Sequence, residues 1–132
     1  MSKSRFHVLV IIAAIALFAG CATPQPVYNV SAAPVTSSTK KDLTTDDVSK
    51  AILRAGATLG WEMTPGKPGH ITGTLKLRNH VAVVDIDYNA KSYSIKHRES
   101  TNLNYDGTNI HKNYNSWVQN LEKGIRNQIA SI

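Results

Sequence analysis

Between Ile71 and Ile95, apolar and polar residues alternate through three successive runs. The runs constrain one another more tightly than any other feature of the chain. Ile71, Gly73, Leu75 and Leu77 alternate with Thr72, Thr74, Lys76 and Arg78. Ala82, Val84, Ile86 and Tyr88 form the next set, and Tyr93 and Ile95 continue it. A period of two marks strands with one dry and one wet face, and such a sheet should be antiparallel. Pairing Tyr88 with Tyr93 sets Ile86 opposite Ile95 and Asp85 opposite Lys96. A two-residue loop at Asn79-His80 sets Leu77 opposite Ala82 and Leu75 opposite Val84. Every apolar set then shares one face, and a slip of one residue would turn each set out to water. A short strand comes before these, with Trp61 and Met63 pointing the same way. It ends at Pro65-Gly66-Lys67-Pro68-Gly69, a turn that no strand can cross.

Helical spacing flanks the strands on both sides. Val48, Ala51, Ile52, Ala55 and Leu59 make one stripe, with Thr44 and Asp47 at capping-box spacing before it and Gly60 as its stop. Tyr114, Trp117, Val118, Leu121, Ile125 and Ile129 make a second stripe over Ile110 to Ala130. The chain is 132 residues long with a single cysteine, so one domain is expected, held by packing rather than by an internal disulfide. The fold class these patterns predict is α+β. The expected architecture is a two-layer domain, a four-stranded antiparallel meander with an N-terminal and a C-terminal helix packed on its one apolar face.

The N-terminus reads as an address. Lys3 and Arg5 precede an unbroken apolar run from Val8 to Ala19. That run is shorter than the roughly 20 residues needed to span a bilayer as a helix, and its flanks are those of a secretory signal peptide over residues 1–20. A buried core helix and an ordinary signal peptide with an incidental cysteine are the alternatives. The run ends in Leu17-Phe18-Ala19-Gly20-Cys21, which resembles the lipobox of bacterial lipoproteins. The resemblance implies a diacylglycerol on the Cys21 thiol, cleavage just before it and acylation of the new amino terminus. It also implies that Ala22, which is not Asp, directs the protein to the outer membrane. Several acyl chains would hold the protein firmly to a lipid bilayer, where one would hold it only marginally.

Residues 21–42 carry Pro24, Pro26 and Pro34 among small and polar residues. They read as the lipidated cysteine and a flexible tether to a periplasmic domain over 43–132. An edge strand at Val27, Tyr28 and Val30 is the alternative. The chain has 15 basic and 9 acidic residues; without Lys3 and Arg5 the basic count is 13 and the net charge +4. That mild excess suits lipid headgroups or cell-wall polymers and does not argue for nucleic acid.

Catalytic chemistry finds little support. Asp85 and Asp87 alternate on the wet face, where Lys76 and Lys96 can neutralise them. His70 and His80 read as solvated. His97 continues the inward alternation and His111 opens the last helix, so the two could meet at one end of the sheet, as an acid–base pair or as two satisfied histidines. No metal site and no cofactor are expected. The stretch from His97 to Trp117 holds five asparagines. Within it Asn102, Tyr105, His111 and Asn115 are candidate binding residues for a glycan or peptide, since amides offer donors and acceptors and aromatic faces stack. The alternative gives the asparagines to turns and caps, and Trp117 to the core. Ile110-His111-x-x-Tyr114-Asn115-x-Trp117-Val118-x-x-Leu121-Glu122 resembles the C-terminal signature of small uncharacterised lipoproteins of Gram-negative bacteria. That resemblance implies the same fold and compartment and assigns no activity. The expected function is a non-catalytic periplasmic module on the outer membrane that binds an envelope protein or peptidoglycan. A structural accessory subunit of an envelope assembly is the alternative, and a hydrolase inhibitor or small hydrolase ranks below both.

Overall fold

The computed structural model describes residues 23–132; the expected signal peptide, Cys21 and Ala22 lie outside them. In chain order the elements are β1 (Gln25–Pro26), β2 (Val30–Pro34), α1 (Thr45–Thr58), β3 (Glu62–Pro65), β4 (His70–Leu77), β5 (His80–Tyr88), β6 (Ser92–Thr101), β7 (Asn109–Ile110) and α2 (Lys112–Ala130). The class is α+β. A five-stranded antiparallel sheet runs in the order β2-β6-β5-β4-β3, and β1 and β7 form a separate two-stranded ladder. The apolar stripes of both helices and the inner face of the sheet close into one core, with Ile52, Ile71, Val84, Ile86, Ile95 and Leu121 fully buried.

Local chemistry sets the helix ends. The Thr44 hydroxyl accepts from the Asp47 N–H at 3.1 Å, and the Asp47 carboxylate accepts from the Thr44 N–H at 2.9 Å. This is a capping box with Asp in place of the longer acid. A hydrogen bond from Lys40 at 2.7 Å, together with those from Thr44, holds the Asp47 carboxyl down to about 2. Gly60 follows the helix at φ +81°, a left-handed conformation that glycine adopts without strain. Leu59, expected in the buried stripe, is instead the C-cap and is 41% exposed. The second helix starts later than expected because Ile110 belongs to β7 and His111 is the N-cap.

The register of the second hairpin is as expected, with Tyr88 opposite Tyr93, Ile86 opposite Ile95 and Asp85 opposite Lys96. The first hairpin is corrected by two residues. Leu77 pairs with His80 and Leu75 with Ala82, so the turn residues are Arg78 and Asn79, with Arg78 at φ +56°. A shift of two leaves every side chain on its expected face, so face patterning alone could not detect it.

The four-stranded meander and the flexible tether both need larger corrections. A fifth strand, β2, lies on β6, with Val30 opposite Ile95 and only 6% exposed. Its sequence resists a central position, and it occupies an edge, where proline is tolerated. The ladder is irregular between Val30 and Ala33; Ala32 sits at φ +47° and its N–H donates to Ser94 Oγ at 2.9 Å. The segment around β2 follows α2 from its first turn to its last. Pro26 and Tyr28 meet Asn115, the Tyr28 hydroxyl reaches Glu122, the Ser38 N–H donates to the Ala130 carbonyl, and the Ser37 and Thr39 hydroxyls donate to the Ile132 carbonyl. Residues 25–39 are therefore a strap built into the domain. Among the described residues no helix is long and apolar enough to cross a membrane.

Candidate functional site

The four candidate binding residues have different surroundings: Asn115 is buried, His111 half-buried, and Asn102 and Tyr105 exposed. Asn115 is a clasp on the strap. Its Oδ1 accepts from the Tyr28 N–H at 2.8 Å, its Nδ2 donates to the Pro26 carbonyl at 2.9 Å, and it is 7% exposed. Asn102 takes φ +56° and donates from Nδ2 to the Asn79 carbonyl at 2.7 Å, while its own carbonyl lies 2.9 Å from His80 Nδ1. This joins the β4–β5 turn to the loop after β6. His111 Nδ1 accepts from the Asn113 N–H at 3.1 Å and so caps α2. Tyr105, like Asn102, lies at the surface; it is 41% exposed, with its hydroxyl donating to the Gly107 carbonyl at 3.2 Å.

Beneath Tyr105 lies a cluster created by a β-bulge. Val84 pairs with His97 but Val83 pairs with Glu99, so Arg98 is the extra residue. His97 faces inward, as the alternation predicts. Beyond the bulge the parity flips, and Ser100, opposite buried Ala82, faces inward too. His97 Nε2 then lies 3.0 Å from Ser100 Oγ. Its ring lies against Tyr105, tilted by 36° with centroids 3.9 Å apart, and meets Tyr114 edge-on at 5.3 Å. The His97 backbone N–H donates to Asn29 Oδ1 of the strap at 3.1 Å. Burial lowers the pKa of His97 because desolvation penalises the imidazolium. The Tyr114 hydroxyl is buried without a hydrogen-bond partner among the described residues, and burial pushes its pKa upward. His97 and Ser100 stand as a base and a hydroxyl would, but among the described residues no carboxylate is hydrogen-bonded to the ring as a nucleophilic site requires.

The wet face differs in its pairings. His70 sits between two carboxylates, 2.9 Å from Asp87 by Nδ1 and 3.3 Å from Asp85 by Nε2, rather than standing solvated. Arg98, freed by the bulge, reaches Asp85 at 3.3 Å, in the role expected of Lys76 or Lys96. Lys76 lies instead 3.9 Å from Glu62. Among the described residues no group of three or more His, Cys, Asp or Glu side chains is placed to hold a metal ion.

Sequence reasoning missed a concave feature walled by the strap and α2. A pocket of about 200 Å³ opens between strap residues Ala33 and Pro34 and helix residues Glu122, Arg126 and Ile129, with Tyr93 of β6 among its lining. Glu122 accepts from the Tyr28 hydroxyl at 2.6 Å and pairs with Arg126 at 3.5 Å, the one-turn pair expected from sequence. Accepting that bond, Glu122 raises the Tyr28 pKa. Desolvation, with the Glu122 charge adding to it, pushes the Tyr93 phenol up to about 12. One signal pointed here: Asn115 is an amide beside the buried stripe of α2, and a buried amide needs partners. A second hollow, of about 110 Å³, is apolar. Leu59 and Leu77, 41% and 43% exposed, flank Trp117, which is half-buried and packs against the core rather than within it.

Compared with known proteins, the chain matches no family model, no curated protein and no solved structure.

Proposed function

We propose that the chain is a lipoprotein anchored by Cys21 in the outer membrane, with a periplasmic domain that binds an envelope protein without catalysing a reaction. The anchor rests on the sequence around Cys21; the observation that carries the binding role is the pocket between β2 and α2. Its walls are apolar at Ala33, Pro34 and Ile129 and its rim carries the Glu122–Arg126 pair. An apolar cleft with a few placed polar groups holds a side chain of a protein partner better than it holds a sugar, whose hydroxyls would lack bonds at those walls. Two of the asparagines in the polar stretch that suggests glycan binding, Asn102 and Asn115, have their side-chain amides engaged internally.

The test is a photo-crosslinking residue placed at Thr36, on the pocket rim, in living cells. One partner protein should be trapped there, and Ile129→Trp, which fills the pocket, should remove it. Trapping that persists with the pocket filled would refute the assignment. Cys21→Ser should abolish fatty-acid labelling and release the protein from membranes, and Ala22→Asp should shift it to the inner membrane. The structural accessory reading draws on the exposed Leu59, Leu77 and Trp117 hollow. A crosslink at Leu77 and none at Thr36 would favour it.

A further inference from the structure

We propose that the β1–β7 end of the domain lies on the headgroup layer of the bilayer that holds Cys21, with Tyr105 at the contact and the β2–α2 pocket turned away from the lipid. This rests on the lipid-anchored reading above. It replaces the expected tethered domain, free to stand off the membrane, with one held against it.

The first ground is length. From Cys21 to Gln25 there are four Cα steps, which reach at most about 14 Å when fully extended. The second is that the chain has no slack from Gln25 onward. Gln25 and Pro26 pair with Ile110 and Asn109, the Val27 N–H donates to the Thr108 carbonyl at 2.9 Å, and Asn115 holds Pro26 and Tyr28. The β6–β7 loop is therefore tied directly to the residues nearest the anchor.

The third ground is what that end presents. Residues 104–108 are all exposed, so the domain itself does not cover them. Tyr105 is one of only three exposed large apolar side chains among the described residues. A ring with a polar tip suits the boundary between headgroups and water. Asp106, whose carboxyl is held low by the Asn109 and Thr108 N–H groups, offsets the charge of Lys112 at this end. The anchor, not net charge, thus holds the contact, and anionic lipid is not required. The pocket is far from it. Of its lining residues, Glu122, Arg126 and Ile129 lie 7, 11 and 14 residues beyond Asn115 on α2, about 10, 17 and 21 Å along the axis.

The experiment uses the acylated full chain in vesicles of phosphatidylcholine and phosphatidylethanolamine carrying a headgroup-linked quencher. A fluorescent dye is attached at Thr108→Cys or at Asn127→Cys, two exposed positions at opposite ends. The dye at position 108 should be quenched several-fold more than the dye at 127, and the difference should survive high salt. Equal quenching at both ends, or stronger quenching at 127, overturns the proposal. Fatty-acid labelling and co-flotation separate the two readings. Labelled, floating protein with an unquenched position 108 refutes the orientation alone. A chain without fatty acid refutes the anchor, and the orientation with it.

Discussion

Replacing Asn115 by Ala removes both hydrogen bonds of the clasp and leaves the Tyr28 N–H and the Pro26 carbonyl to find water. Each bond contributes about 0.5–1.5 kcal/mol net, and a group left unpaired and buried costs about 1–3 kcal/mol. Pro26 is exposed and Tyr28 half-buried, so both can rehydrate once the strap lifts, which places the loss near the low end, at about 2 kcal/mol. For a domain of this size that lowers the melting temperature by about 8 °C. The assay is urea and thermal unfolding of a soluble chain beginning at residue 23, with hydrogen exchange read at the Tyr28 amide. Asn113→Ala serves as the control, since Asn113 is an exposed neighbour whose side chain makes no bond among the described residues. The expected result is a cooperative transition at lower urea and faster exchange at Tyr28, with the control unmoved. An unchanged midpoint with unchanged protection at Tyr28 would refute the clasp and return Asn115 to the surface-recognition role first read from sequence.

Three further outcomes are expected. A chain starting at residue 43 loses the buried Val30 side chain and the clasp together and should be less stable than one starting at residue 23 by about 4 kcal/mol; equal urea midpoints would show the strap to be ornamental. Tyr114→Phe deletes a buried hydroxyl that lacks a partner and should stabilise by about 1 kcal/mol, whereas a loss of that size would reveal an ordered water bonded to the hydroxyl. His97 has a folded pKa below the ordinary 6.5, so the unfolded chain binds its proton more readily, and stability should fall as pH drops below 6.5 towards the folded value. His97→Gln should flatten that part of the curve, and a slope identical to the parent's would assign it to other groups.

The parts of the fold legible in sequence were those fixed by period. The Tyr88–Tyr93 hairpin has strict alternation on both arms, and α2 has a stripe at every turn. The bulge at Arg98 was not legible, because both parities of the run His97 to Thr101 place one polar residue inward for another, and only pairing with β5 decides between them. The strap was illegible for a different reason. Its prolines exclude a helix and a central strand, which leaves either an edge strand or loose chain. The choice depends on whether Val30 finds a hydrophobic seat on β6, a tertiary fact. The pocket shares that blindness, since one of its walls, Ala33 and Pro34, reads as tether in the sequence. The candidate loop residues were legible by type, as hydrogen-bonding groups on a connection. Their engagement with Asn79, Asn113 and the strap was set by distances that no spacing rule contains.

The strap also dictates an order of events. Its bonds to Asn115, Glu122 and Ile132 span 87 to 95 residues of sequence, so the first segment of the domain to leave the ribosome cannot finish closing until the last has followed. Contacts of such separation form slowly, because loop closure must precede any gain from pairing. Until α2 is complete, β2 has no helix to follow and the clasp at Asn115 has no helix to hold it. A nascent chain therefore stays short of its native state until its final residues are free. If the chain is exported as proposed, that delay keeps it threadable for the whole of its passage, and the domain locks only once its C-terminus has crossed.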